Sequence, residues 1–331
     1  MTSYPSRCRP AVLLASFAAA AIATLVAAPA VAQTWPDRPI SIIVPFPAGG
    51  GTDAFARPLA ALLEKQLSQR ILIDNRSGAG GTVGASAASK AEPNGYNFFV
   101  GAAHHAIAQT LYPKLDYDLR DFVPVALIAS PPQVVAVNPA KVSAKTLAEF
   151  IADAKANPGK IDYASAGIGT THHLAGELFK ILAGVNLNHV PYRGAGPAMQ
   201  DLVAGHVHVM FDGLGTSANQ IQGGQIRGLA VASAARSDAI AAVPTAGEAG
   251  LKGFEVSTWY AIFAPKGTPP AIVDRMAAEI RKALDSDTLK EAWKKNGSPT
   301  PTLMKEEFGK FVGSEITRWA DVIKKANIKL E

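Results

Sequence analysis

Between Pro39 and about Gly101, short apolar runs alternate with amphipathic stretches, and the handovers between them are rich in glycine. ISIIVPF reads as a buried strand, 52–67 as a helix, RILIDNR as a second strand and 82–91 as a small-residue helix. The turn EPNGY then leads into the strand NFFVGAA. Parallel strands need a crossover between them, so this alternation predicts a largely parallel sheet covered by helices on both faces. Pro58 falls inside the first helix, which is therefore expected to kink or to start late.

A second alternating block runs from about Gln133 to Gly253. VVAVN precedes a helix opened by the capping box TLAE, Thr146 to Glu149. IDYASAG, a helix through THHLAGELFKILAG, NHVPYRG, a helix across GPAMQDLVAG, and the strands VHVMFD and IRGLAVAS follow. Beyond GFEVSTWYAIFAP the chain reads as mostly helical, through PAIVDRMAAEIRKAL, TLKEAWKKN and 303–328. VPVALIASPPQVVAV and FEVSTWYAIFAP are each too long and too continuously apolar for one strand. They suit extended segments that leave one domain for the next. The expected organisation is a discontinuous lobe, 33–132 plus 254–331, with a second lobe, 133–253, inserted; the alternative is one large sheet domain without a cleft.

The N-terminal segment is set apart by composition. RCRP supplies a positive n-region, AVLLASFAAAAIATLVAAPA an apolar h-region, and the Ala30-x-Ala32 pattern a cleavage site after Ala32. The apolar run approaches membrane-spanning length, but its alanine-rich character favours removal over anchoring. The single cysteine, Cys8, precedes the h-region, so a chain beginning at Gln33 has no lipidation site, disulfide or thiolate. The leader holds Arg7 and Arg9 and no acid, so the net charge of +5 becomes +3 without it. No clustered basic run points to nucleic acid. Residues 33–331 read as an exported, soluble, mildly basic globular protein in the periplasm.

The candidate chemistry lies at the glycine-rich transitions. VPFPAGGGTDAFAR, residues 44–57, lacks the GK[ST] of a phosphate loop, which disfavours nucleotide phosphate; backbone N–H groups at a helix start fit a smaller anion, a carboxylate. Asp53 either caps free N–H groups in that first turn or faces a ligand hydroxyl, amine, amide or bridging water. NRSGAGGTVGA, residues 75–85, is a second such loop, with Ser77 and Thr82 hydroxyls; Arg76 is either a cationic partner or a structural ion pair. SAGIGTTHHLAGE, residues 165–177, is a third. Loops at strand carboxyl ends gather around one crevice, so the three describe a clamp for a small anion, with Asp212 pointing toward it. GLGTSA, residues 213–218, is a weak dinucleotide fingerprint without an acidic residue ending the next strand. The seven histidines form no HExxH, and structural or solvent roles are preferred to a metal site. There is no GxSxG elbow, and Ser165 has no evident paired base. No catalysis, cofactor or metal is expected.

Taken together, WPDRPISIIVPFPAGGGTDAFAR, IDNRSGAGGTVGA, PNGY, YASAGIGTTHHLAGELFK, HVPYRGAGPAMQDLVAGHVHVMFD, VPTAGEAGL and WYAIFAPKGTP resemble the extracytoplasmic substrate-binding proteins of tripartite tricarboxylate transporters, the Bug-type family. The resemblance covers essentially all of 33–331. It implies an α/β type II periplasmic-binding-protein fold, with two lobes, two crossing strands and a ligand cleft between the lobes. It also implies a monomer that closes on a small organic carboxylate and delivers it to membrane permease subunits; a sensory partner of a signalling receptor would share the same pocket. Carried over to this chain, Phe46, Pro47, Ala48, Gly49, Gly50 and Asp53 form the first loop. Ser77, Gly80 and Thr82 match the second, and Ser165, Ala166, Gly169 and Thr170 the clamp of the other lobe, with Asp212 at its edge. Two features depart from the family pattern, Pro58 and the pair His104–His105.

Overall fold

The computed structural model describes residues 1–2, 35–326 and 328–329. The leader and its cleavage site after Ala32 lie outside the described residues. The strands are β1 (Ile40–Val44), β2 (Ile71–Asn75), β3 (Asn97–Ala102), β4 (Val123–Ala129), β5 (Gln133–Val137), β6 (Asp162–Ser165), β7 (Asn188–Pro191), β8 (Val209–Gly213), β9 (Arg227–Val231) and β10 (Tyr260–Ala264). The helices are α1 (Gly51–Leu67), α2 (Thr82–Ser89), α3 (Ala103–Leu111), α4 (Leu147–Ala156), α5 (Thr171–Ala183), α6 (Ala195–Ala204), α7 (Leu214–Gln222), α8 (Pro270–Asp285), α9 (Asp287–Lys295) and α10 (Lys305–Ala326).

Two five-stranded sheets result, in the orders β2-β1-β3-β10-β4 and β7-β6-β8-β5-β9. In the first, β1 pairs in parallel with β2 and β3, and β10 runs antiparallel to both β3 and β4. In the second, β6 is parallel to β7 and β8, and β5 is antiparallel to β8 and β9. Strands covered on both faces can be apolar throughout, which is why NFFVGA and QVVAV are buried along almost their whole length. Each sheet therefore forms the centre of its own lobe.

The chain passes between the sheets twice, after β4 and before β10. Gln133 N–H donates to Val256 O (2.9 Å), Thr258 N–H donates to Pro131 O (3.1 Å), and Pro132 bridges Ser257. The two crossings thus pair with each other and form an extended hinge.

Local chemistry sets the element ends. Thr146 and Glu149 form the reciprocal capping box of α4, with Glu149 N–H donating to Thr146 Oγ1 at 3.2 Å. Helix α1 buries Phe55, Leu59, Leu63 and Leu67 along one stripe and runs as one helix through Pro58, without the late start expected of it. Pro58 and Ala54 are both partly exposed, so the Ala54 carbonyl deprived of its i+4 donor lies near solvent. Helix α3, which follows β3 without a break, has no counterpart in the sequence reading. Its first turn is closed by His105, whose Nδ1 accepts the Ala102 N–H at 2.9 Å.

Candidate functional site

The carboxyl ends of β1, β3, β6 and β7 all point into the crevice between the sheets, where each hands over to a helix. A narrow cavity lies there, lined by Phe46, Gly50, Gly51, Thr52, His104, Ala166, Thr170, Thr171, His172, Ala195, Thr258 and Tyr260. Four helix starts contribute to this wall: Gly51 and Thr52 open α1, His104 lies in the first turn of α3, Thr171 and His172 open α5, and Ala195 opens α6. First-turn N–H groups have no intrahelical acceptor and sit at the positive end of the helix dipole, so the wall is built for negative charge. No lysine or arginine is among the lining residues.

The imidazoles in this wall are uncharged. Burial, with His105 and His172 alongside, holds His104 well below its ordinary pKa. Burial lowers His172 to about 4. Beneath it, at 3.5 Å from His172 Nε2, lies Oδ1 of the fully buried Asp212, whose pKa burial raises to about 7 against hydrogen bonds from Thr216, Ser217 and the Gly213 backbone. His104 Nε2, His172 Nδ1 and Asp212 Oδ2 are buried without a hydrogen-bond partner. Polar atoms in that condition are uncommon in folded proteins; Tyr117 Oη and the Gln133 amide share it outside this cavity.

The sequence-predicted residues fall into three groups. Phe46, Gly50, Ala166 and Thr170 line the cavity. Pro47, Ala48, Gly49 and Gly80 instead make the contact between lobes: a Cβ on Gly194 would lie 2.8 Å from Pro47 Cδ, one on Gly196 3.2 Å from Ala48 O and 3.4 Å from Gly49 C, and one on Gly80 2.7 Å from Ile168 O. The remaining residues lie outside the lining, and all but the exposed Ser77 support the wall from behind. Asp53 Oδ2 accepts the Gly49 N–H (3.0 Å) and Arg57 Nε (2.7 Å), and Oδ1 accepts from Asn75 Nδ2 (3.3 Å), so its carboxylate braces the glycine loop and is absent from the cavity lining. Thr82 Oγ1 donates to Ala79 O (2.9 Å), and Ser77 is exposed. Ser165 Oγ pairs with His189 Nε2 at 2.7 Å, and Gly169 N–H donates to His173 Nδ1 at 3.4 Å. His189 is stacked between Tyr163 and His173, which stiffens the 165–170 loop. The GLGTSA glycines serve packing, since a Cβ on Gly215 would sit 2.5 Å from the Phe55 ring.

Sequence reasoning missed Gly51, Thr52, His104, Thr171, His172, Ala195, Thr258 and Tyr260 as wall residues. The start of α6 carried the same signal as the other loops, because YRGAGPA is again a glycine-rich strand-to-helix transition.

Residues 55–328 match the model of the tripartite tricarboxylate transporter family receptor. The chain belongs to this family. It is 38% identical over 309 residues to Protein BugT of Bordetella pertussis, with 92% of this chain and 94% of that protein covered. Among solved structures it is similar to an R. palustris protein with adipate, at TM-score 0.86 and 36% identity over 89% of this chain and 99% of that one. It is also similar to MatC from Rhodopseudomonas palustris with bound malate, at TM-score 0.82 and 35% identity over 87% and 100% of the two chains. The family is one of solute-binding receptors, and the two-lobed α/β fold of this chain is theirs.

Proposed function

We propose that this receptor captures a small organic carboxylate in the periplasm, by closure of its two lobes, and passes it unchanged to the membrane permease subunits of a tripartite tricarboxylate-type transporter. The observation that carries this reading is the cavity wall: four helix starts converge on a space that no basic side chain enters. An anion there is held by N–H groups and dipoles fixed before it arrives. The carboxylates in the two similar R. palustris structures support the ligand class.

In this reading the lobes are 33–132 plus 254–331 and 133–253, the leader is removed after Ala32, and the receptor works as a monomer. Phe46, Gly50, Ala166 and Thr170 contact the ligand directly. Pro47, Ala48, Gly49 and Gly80 complete the closed cleft, while Asp53, Ser77, Thr82, Ser165, Gly169 and Asp212 hold the contacting loops or side chains. Closure is a hinge rotation at 130–132 and 256–258, driven by contacts that the ligand makes with both lobes at once.

A thermal-shift screen of mono- and dicarboxylates, each beside its neutral amide, tests the proposal. A fitting carboxylate at a hundred times its Kd stabilises the fold by about 2.7 kcal/mol and raises Tm. A clear shift from amides with none from any carboxylate overturns the anion reading, and recovery of a chemically altered ligand overturns the transport role.

A further inference from the structure

The helix starts account for one carboxylate, but they leave the two lining histidines unused. His104 belongs to the lobe of the first sheet and His172 to that of the second, and the cleft brings them close enough for charge on one to disfavour charge on the other. Each keeps one ring nitrogen buried and unpartnered, Nε2 of His104 and Nδ1 of His172, while the other nitrogen of His172 faces Asp212 Oδ1 at 3.5 Å. The remaining groups around this pair carry no positive charge. They are His105 on α3, which burial lowers to about 4, Thr171 on α5, Thr216 and Ser217 on α7, Thr258 at the hinge, and Tyr260 on β10, whose hydroxyl burial and Asp212 keep protonated.

We propose that His172, backed by Asp212 and faced by His104, receives the second end of a dicarboxylate and takes up one proton in doing so. This rests on the carboxylate reading of the cavity. Above neutral pH the Asp212 carboxylate, 3.5 Å from Nε2, favours the proton of a neutral His172 on that nitrogen, and the Nδ1 lone pair is left for the space where a second carboxylate would sit. A carboxylate beside that lone pair is repelled. One proton from solvent, placed on Nδ1, turns it into a donor to the ligand and leaves an imidazolium between two carboxylates. In the free protein Asp212 already holds the additional proton below about pH 7, beside a neutral His172. Binding raises that pKa, so uptake is greatest above pH 7 and fades toward pH 6. His104, kept neutral by burial, offers its ring nitrogen to the same end of the ligand. The arrangement selects against chains of equal length that end in a methyl group.

The test is calorimetry on the purified protein with three matched pairs: butanoate and succinate, pentanoate and glutarate, hexanoate and adipate. Titrations run at pH 6 to 9, in phosphate and in Tris, whose ionisation enthalpies differ. The expected result is that the dicarboxylate of fitting length binds at least tenfold tighter than its partner at pH 6. That advantage falls by about tenfold per pH unit above 7, and at pH 8 close to one proton is taken up per dicarboxylate and none per monocarboxylate. In His172→Gln the pH dependence and the uptake disappear. Equal affinity within each pair, no buffer dependence of the wild-type heat, or an unchanged pH slope in His172→Gln overturns the proposal. The wild-type proton count stands whether or not the variant folds. Binding by no member of any pair overturns the carboxylate reading itself, and with it this assignment.

Discussion

Substitution of Gly80 by alanine separates closure from folding. Gly80 holds φ +61° and ψ 24°, in the left-handed region, and a Cβ there would lie 2.7 Å from Ile168 O and 2.9 Å from Tyr112 Oη. Ile168 belongs to the opposite lobe and its oxygen is backbone, so the clash is relieved only by holding the lobes apart. The left-handed conformation costs a non-glycine residue about 1–2 kcal/mol in the open and closed forms alike, and this cancels in binding. Tyr112 Oη is in the same lobe and gives way in both forms, whereas the overpacking against Ile168 O, about 1–3 kcal/mol, is felt in the closed form alone, so Kd should rise by about 5- to 150-fold. Gly184→Ala is the matched control: φ +63° and ψ 46°, at the end of α5, with nothing within 4 Å of the added carbon. Both variants should lose similar stability in urea, while only Gly80→Ala weakens binding of the best dicarboxylate by calorimetry and keeps a larger radius of gyration at saturation. A Kd for Gly80→Ala within twofold of wild type, or an equal loss in Gly184→Ala, would refute the argument.

Three other substitutions probe the site. Tyr112 Oη reaches Ile168 O across the cleft (3.1 Å) and Ala79 O in its own lobe (3.2 Å), so Tyr112→Phe should weaken binding by up to about fivefold, the loss of about 1 kcal/mol from the closed form being offset in part by the Ala79 bond lost from the open one. Asp53→Asn keeps one acceptor of the brace on Gly49, Arg57 and Asn75; urea titration should show a loss of about 1–2 kcal/mol, and the order of affinities across a ligand panel should not change. Asp212 stays protonated in the fold to about pH 7, whereas an unfolded chain ionises it near 3.8, so its contribution is fully present at low pH and lost as pH rises between those values. Asp212→Asn should therefore match wild type in stability near pH 4 and exceed it by up to about 4 kcal/mol at pH 8; a wild type that is more stable at pH 8 contradicts the assignment.

The two-lobed fold and two of the four wall segments, the starts of α1 and α5, were legible because glycine, serine and threonine at a strand-to-helix handover announce exposed backbone whatever the rest of the chain does. Phe46, Gly50, Ala166 and Thr170, named through the family resemblance, stand in those two segments. Helix α3 was not legible, since AHHAIAQTL is buried on nearly every side and shows no 3.6-residue alternation to distinguish it from the strand before it. His104 stayed hidden with it. Thr258 and Tyr260 were read only as part of an apolar bridge; Thr258 reaches the cavity wall through its pairing with Pro131 in the crossing and Tyr260 through the register of β10 against β3 and β4, both tertiary facts. For Asp53, spacing allowed both a cap and a ligand contact, and the decision came from Asn75 and Arg57, eighteen residues apart in sequence and adjacent in space.

The placing of β10 between β3 and β4 has a consequence for synthesis. The strands of the second sheet fall within 133–231, a continuous stretch, so that sheet can pair as soon as it has emerged. The first cannot: NFFVGA and VPVALIA become neighbours only through YAIFA, residues 260–264. At about 5–20 residues per second the ribosome takes on the order of ten seconds from Ala129 to Ala264, and for that interval two of the most apolar strands in the chain present unpaired edges. A nascent chain stalled before Tyr260 is thus a folded lobe attached to an aggregation-prone half-sheet, and a single strand in the last quarter of the sequence closes the sheet begun before residue 130.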